Sequence, residues 1–189
     1  PNPSAEQVHP ETRAIGFLTR EVPAWFQKNR CFSCHNNGDA VRALYLASTT
    51  YKIPRSALPE TTEWLAHPER WDSNKGDPGF SDKTLARIQF SYALAAAMDA
   101  RSVRDPRALE LAARQLIADQ QAEGSWKIGP EQTIGSPATY GTALATVVAT
   151  DVLQRVSLPE AVAARRRGEI WLRTLTPRNL PQYAALLIF

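Results

Sequence analysis

The chain has 189 residues, with 22 Lys and Arg against 19 Asp and Glu, a formal net charge of +3, two cysteines and three histidines. That length suits one domain with a single sizeable core, two cysteines exclude a multi-disulfide scaffold, and no apolar run reaches the ~20 residues needed to cross a bilayer. Charges of both signs are interspersed, so no nucleic-acid partner is demanded, and the basic run Arg165-Arg166-Arg167 reads as a solvated helix face.

The opening Pro1-Asn2-Pro3-Ser4 has no initiator Met and no apolar signal core, which fits a processed or trimmed product and leaves export open. Residues 11–30 predict a first helix, bent at Pro23, and residues 39–51 a second. A short helix over 60–66 ends at His67-Pro68, before a turn-rich surface connection from Ser73 to Gly79. Ser81 is the expected cap of a helix over 82–101, and Asp105-Pro106 opens another that runs to about residue 121. Glycines and prolines mark 124–137 as a loop, a helix follows over 138–156, and Leu158-Pro159-Glu160 starts the next. The chain stops at Phe189 inside an apolar helical pattern, so this helix either docks fully or continues into residues not present. Alternating Val, Ile and Thr runs are nearly absent, and the expected fold class is all-α.

Aromatic or apolar pairs recur at Trp25-Phe26, Trp64-Leu65, Leu116-Ile117 and Trp171-Leu172, near the end of the first helix of each pair. Their spacing predicts stacked helical hairpins over about 11–51, 60–101, 105–156 and 159–189, all within one domain spanning 1–189. Ile117, Gln121 and Gly124-Ser125-Trp126 resemble the glutamine–tryptophan repeat of squalene–hopene cyclases and related α/α-toroid proteins. Arg167 to Leu172 resembles the opening half of that signature, with Thr176 where its glutamine belongs. The resemblance implies a partial α/α toroid in which the glutamine caps helix ends and, with the tryptophan, ties neighbouring hairpins. The cyclases protonate their substrate from an Asp-x-Asp-Asp segment. Here Asp72, Asp77, Asp82 and Asp99 are isolated, so cyclase activity is not expected.

Cys31-Phe32-Ser33-Cys34-His35 gathers both cysteines and one of the three histidines into five residues, the spacing of c-type haem attachment. Residues three apart on a helical turn share a face, so both thiols can reach the vinyl groups of one porphyrin edge, and His35 follows as proximal iron ligand. A thioredoxin-like pair lacks its βαβ setting, zinc lacks a fourth ligand close in sequence, and a plain disulfide leaves His35 without a role. The attachment segment, about 25–38, falls where the first repeat's Gln-x-x-Gly-x-Trp turn belongs. The chain thus resembles exported bacterial proteins that join a c-type haem motif to cyclase-like repeats. Phe32, Trp25, Phe26 and Tyr45 are candidates to cover the porphyrin, or simply to fill the core.

The sixth iron ligand is sought among His67, Met98 and His9. His67 is favoured because it closes the equivalent end of the second hairpin, with Met98 as runner-up and an open iron as the alternative. The resemblance implies one covalently attached haem c, single-electron transfer beside a redox partner protein, and a periplasmic or extracellular location. No membrane span is expected, although peripheral association is compatible. An open-coordination haem enzyme or gas sensor and a haem-stabilised interaction scaffold are the competing readings.

Overall fold

A computed structural model of the chain describes residues 9–54, 57–74, 82–128 and 141–189. Every regular element among them is helical, with no strand. Helix α1 spans Pro10–Asn29, and a π-helical turn over Cys34–Ala40 leads directly into α2, Val41–Ala47. Helix α3, Pro59–Leu65, is followed by a 3-10 turn over Pro68–Ser73, then by α4, Lys83–Asp99. The remaining helices are α5, Pro106–Asp119; α6, Gly141–Gln154; α7, Pro159–Thr174; and α8, Leu180–Ile188.

The first helix of each expected hairpin begins on a proline, at Pro10, Pro59, Pro106 and Pro159. Proline suits that position because its fixed φ is already helical and the N–H it lacks has no partner in the first turn. Asp82, Asp105 and Asn179 accept first-turn N–H groups through their side chains and set the starts of α4, α5 and α8.

Helices α2, α4, α6 and α8 pack one on the next as an inner row, while α3 lies outside it against α4, α5 chiefly against α4 and α7 against α6. Burial is deepest in the middle of the inner row: α4 buries eleven of its 17 residues and α6 nine of 14, whereas the terminal helices α1 and α8 bury only Val22 and Ala185. Small residues such as Ala93, Ala97, Ala145 and Ala149 let the inner helices approach closely. The main core runs from Val22 to Ala164 and includes Phe90, Trp71 and Trp126, and a smaller cluster around Leu172 and Ala185 seats α8 on α6 and α7.

Several sequence expectations are corrected. Helix α1 keeps Pro23 inside it, as expected, but starts one residue earlier, at Pro10. The second helix begins at Cys34, five residues early, as a π-helical turn. Between the short helix and the turn-rich connection, residues 68–73 form an unforeseen 3-10 turn with a fully buried Trp71. Asp82, not Ser81, caps α4; Ser81, the Lys75–Gly79 part of the predicted loop and residues 129–140 lie outside the described residues. Of the basic run, Arg165 pairs with Glu169 and Arg167 reaches Gln120 Oε1, so only Arg166 remains a purely solvated side chain.

The connection after α5 follows the glutamine–tryptophan pattern with one change of residue. Trp126 is fully buried and its indole N–H donates to Leu116 O at 2.7 Å. Gln120, not Gln121, joins two hairpins: its amide donates to Gly124 O and to Ala164 O of α7. Gln121 turns back to Asp119 O. Gly124, at φ +104°, lies so near α7 that a Cβ there would stand 2.5 Å from Arg167 O.

Candidate functional site

Helix α1 ends at Arg30, whose left-handed φ of 51° returns its N–H to Phe26 O. Ser33, extended at ψ 136°, caps the next helix by accepting from the N–H groups of His35 and Asn36. Cys31 therefore lies before the cap and Cys34 after it. The single helical turn expected to carry both thiols is absent; the backbone turn between two helices sets their separation.

The second hairpin holds this turn in place. Asn74 accepts from Phe32 N at 3.1 Å and donates to Phe32 O at 2.8 Å, and its amide also faces Cys31 Sγ at 3.4 Å. Asn37, fully buried, accepts from Ser33 N and donates to Thr61 Oγ1. Gly38 lies against the middle of α4, where a Cβ would come 3.2 Å from Gln89 Cβ. Gln89 in turn donates to the Asp39 carboxylate. None of Asn37, Asn74, Asp39 or Gln89 was singled out by sequence. Asn74 stood only as one of several turn formers, and no periodic signal marks a side chain that bonds 42 residues away.

Cys31 and Cys34 are free thiols. Cys31 is 1% exposed, whereas Cys34 is half-buried and His35 is exposed. Burial, helped by the Asp39 charge, pushes the Cys34 thiol up to about 11, so it is protonated at neutral pH. Burial also raises the Asp39 carboxyl, against the Gln89 hydrogen bond and the charges of His35 and Arg42. His35 Nδ1 faces Cys34 Sγ at 3.5 Å, a weak contact that leaves its Nε2 available to a metal.

Phe32 is sandwiched between Phe26 and Trp64, with ring centroids 4.4 Å away on each side. Trp64 meets Phe90 edge-on at 5.9 Å, and Tyr45 is buried with its hydroxyl on Thr62. The indole nitrogens of Trp25 and Trp64 are buried without a hydrogen-bond partner. Such orphan donors are uncommon in native folds.

The first turn shares a bond with the next two. The carbonyl of the pair residue accepts a side-chain donor each time: Trp25 O from Asn29, Trp64 O from Trp71 and Leu116 O from Trp126. Phe32 stands seven residues after Trp25, as Trp71 does after Trp64. The Asn29 bond stays within α1, four residues apart, whereas the two indole bonds span seven and ten residues.

Set against the donors a c-type haem needs, Cys34 and His35 are present at the turn, and the orphan indole N–H of Trp64, in the Phe32 stack, is a donor suited to a carboxylate. Cys31 fits once its side chain leaves Asn74. His67, the favoured sixth ligand, has both ring nitrogens engaged, Nε2 with Glu63 at 3.1 Å and Nδ1 with Glu69 at 2.8 Å. Met98 packs on the main core one residue from the end of α4. It lies nine positions beyond Gln89, about 13 Å along the axis from where the Gly38 turn crosses that helix. His9 is exposed just ahead of α1. Among the described residues no three His, Cys, Asp or Glu side chains gather as a metal cluster, and no helix is long and apolar enough to cross a membrane. Compared with known proteins, the chain matches no family model, no curated protein and no solved structure.

Proposed function

We propose that the chain is a monohaem c-type cytochrome whose task is single-electron transfer beside a redox partner protein. One observation carries this reading: Cys31, Cys34 and His35 stand at haem-attachment spacing, with both cysteines free and the His35 ring open to solvent. Cys31 and Cys34 would hold the porphyrin by adding their S–H groups across its vinyl bonds, and His35 would hold the iron from one side. When bound, the haem supplies a one-electron couple tuned by its axial ligands and burial. The chain's own contribution is to fix the turn through Asn74 and Asn37, and to set Phe26, Phe32 and Trp64 as an apolar wall beside it.

The stacking of hairpins as a partial α/α toroid like that of the squalene cyclases belongs to the same proposal. It is supported by the inner row of helices, the tryptophan-to-carbonyl bonds and the Gln120 tie. Haem attachment further implies maturation outside the bacterial cytoplasmic membrane, in the periplasm or beyond.

A second reading, an open-coordination haem enzyme or gas sensor, is favoured by the two carboxylates that occupy His67. The test is the protein expressed with a c-type maturation system. Denaturation-resistant haem staining that disappears in Cys31→Ala, Cys34→Ala supports attachment at this turn, and stain retained in that variant refutes it. A low-spin spectrum unchanged by carbon monoxide supports electron transfer, whereas a high-spin spectrum that shifts with carbon monoxide supports the second reading.

A further inference from the structure

A cavity of about 800 Å³ opens between the end of α2, helix α3 and the α4–α5 connection, and none of Cys31, Cys34 and His35 lines it. Its volume lies within the range of small-molecule sites. Ile53, Leu58, Val103 and the ring of Tyr45 supply apolar wall, while Arg101 and Arg104 supply charge. Neither arginine makes an ion pair among the described residues, although the carboxylates of Glu63 and Asp105 line the same cavity. Those carboxylates are already engaged: Asp105 holds Arg107, and Glu63 is drawn to His67.

The hydroxyls of the wall direct their protons inward. Thr62 donates to Leu58 O, so the 2.7 Å contact with Tyr45 is donated by the tyrosine, and Ser48 donates to Tyr45 O. Burial pushes the Tyr45 hydroxyl up to about 12, so it adds no negative charge to the cavity at neutral pH. The charged donors left for a ligand are the two guanidinium groups.

Arg101 also occupies a costly backbone position. After α4 the chain turns with Ser102 N on Ala97 O at 2.8 Å, and Arg101 is held at φ 58°. Glycine is the usual residue at this point of a helix end, because a Cβ is disfavoured there.

We propose that this cavity binds an amphiphilic carboxylate, its apolar body against Ile53, Leu58 and Val103 and its carboxylate between Arg101 and Arg104. The site is separate from the haem reading and stands or falls without it. Isothermal titration with decanoate, and with decanol as the uncharged counterpart, tests it. Decanoate binds saturably at one per chain and at least about tenfold more tightly than decanol, a charge-assisted pair of hydrogen bonds being worth that much. The variant Arg101→Gln, Arg104→Gln, altered only on the surface, brings decanoate down to the affinity of decanol. Leu58→Trp, which fills the apolar end, abolishes both. Absence of saturable decanoate binding, equal affinity for the two probes, or undiminished decanoate binding by the double glutamine variant would overturn the proposal.

Discussion

Replacing Gly168 by alanine tests the junction between the third and fourth hairpins, because two opposed effects meet there with known sizes. In an exposed helix the change stabilises by about 1 kcal/mol, since glycine has more backbone freedom to lose. In α7, however, the new Cβ would stand 2.6 Å from Thr150 Cγ2 and 2.9 Å from Trp126 Cζ3. Carbon atoms at rest sit about 3.5–4.0 Å apart. Neither neighbour yields easily: Thr150 is β-branched, and Trp126 is fully buried with its indole bonded to Leu116 O. The overlap therefore belongs near the upper end of overpacking costs, about 3 kcal/mol, and the net loss is about 2 kcal/mol. For a chain of this length that lowers the melting temperature by roughly 4–8 °C, read by circular dichroism at 222 nm. Thr150→Ser removes the clashing methyl and keeps the hydroxyl that donates to Val147 O, so Gly168→Ala in that background costs at least ~1 kcal/mol less. A Gly168→Ala protein that melts at or above the parent temperature would refute the close approach.

Three further outcomes follow from the site and its surroundings. Asn74→Ala frees both backbone groups of Phe32, destabilises by about 1–3 kcal/mol and speeds the reaction of Cys31 with a thiol reagent; an unchanged labelling rate would remove Asn74 as its clamp. Arg87 holds the Asp72 carboxyl below the usual carboxylate range, chiefly through their hydrogen bond. The resulting stability is present above the ordinary carboxyl pKa of about 4 and is lost as pH falls through the lowered value, so urea midpoints of the parent and Arg87→Gln converge in acid; a gap independent of pH would show that the pair is not the cause. In haem-loaded protein, His67→Ala converts a low-spin iron to high spin if His67 leaves its two glutamates to ligate, and an unchanged spectrum assigns the sixth position elsewhere.

Helix identity was legible because it depends on local pattern: proline and aspartate starts and apolar faces lie within a few residues of what they specify. The four prolines that open the hairpins, spaced 49, 47 and 53 residues apart, mark the repeat more evenly than the aromatic pairs. Trp71 was missed as the second hairpin's counterpart of Trp126 because no glutamine–glycine signature precedes it, although its indole makes the same kind of bond. The Cys31–His35 motif stands out in the sequence as five adjacent residues. Its geometry does not, because α1 ends at Arg30 just before the first thiol and the Ser33 cap separates the two, and the side chains that fix the turn come from Thr61, Asn74 and Gln89, far along the chain.

The distance in sequence between Cys31 and the amide that faces it has a bearing on maturation. The two are 43 residues apart and lie in different hairpins. Until the second hairpin docks, the first thiol lacks its cover, so chemistry at Cys31 is easiest on the unfolded, newly delivered chain. A catalyst that modifies this sulfur has to work before the second hairpin docks, or else prise it away.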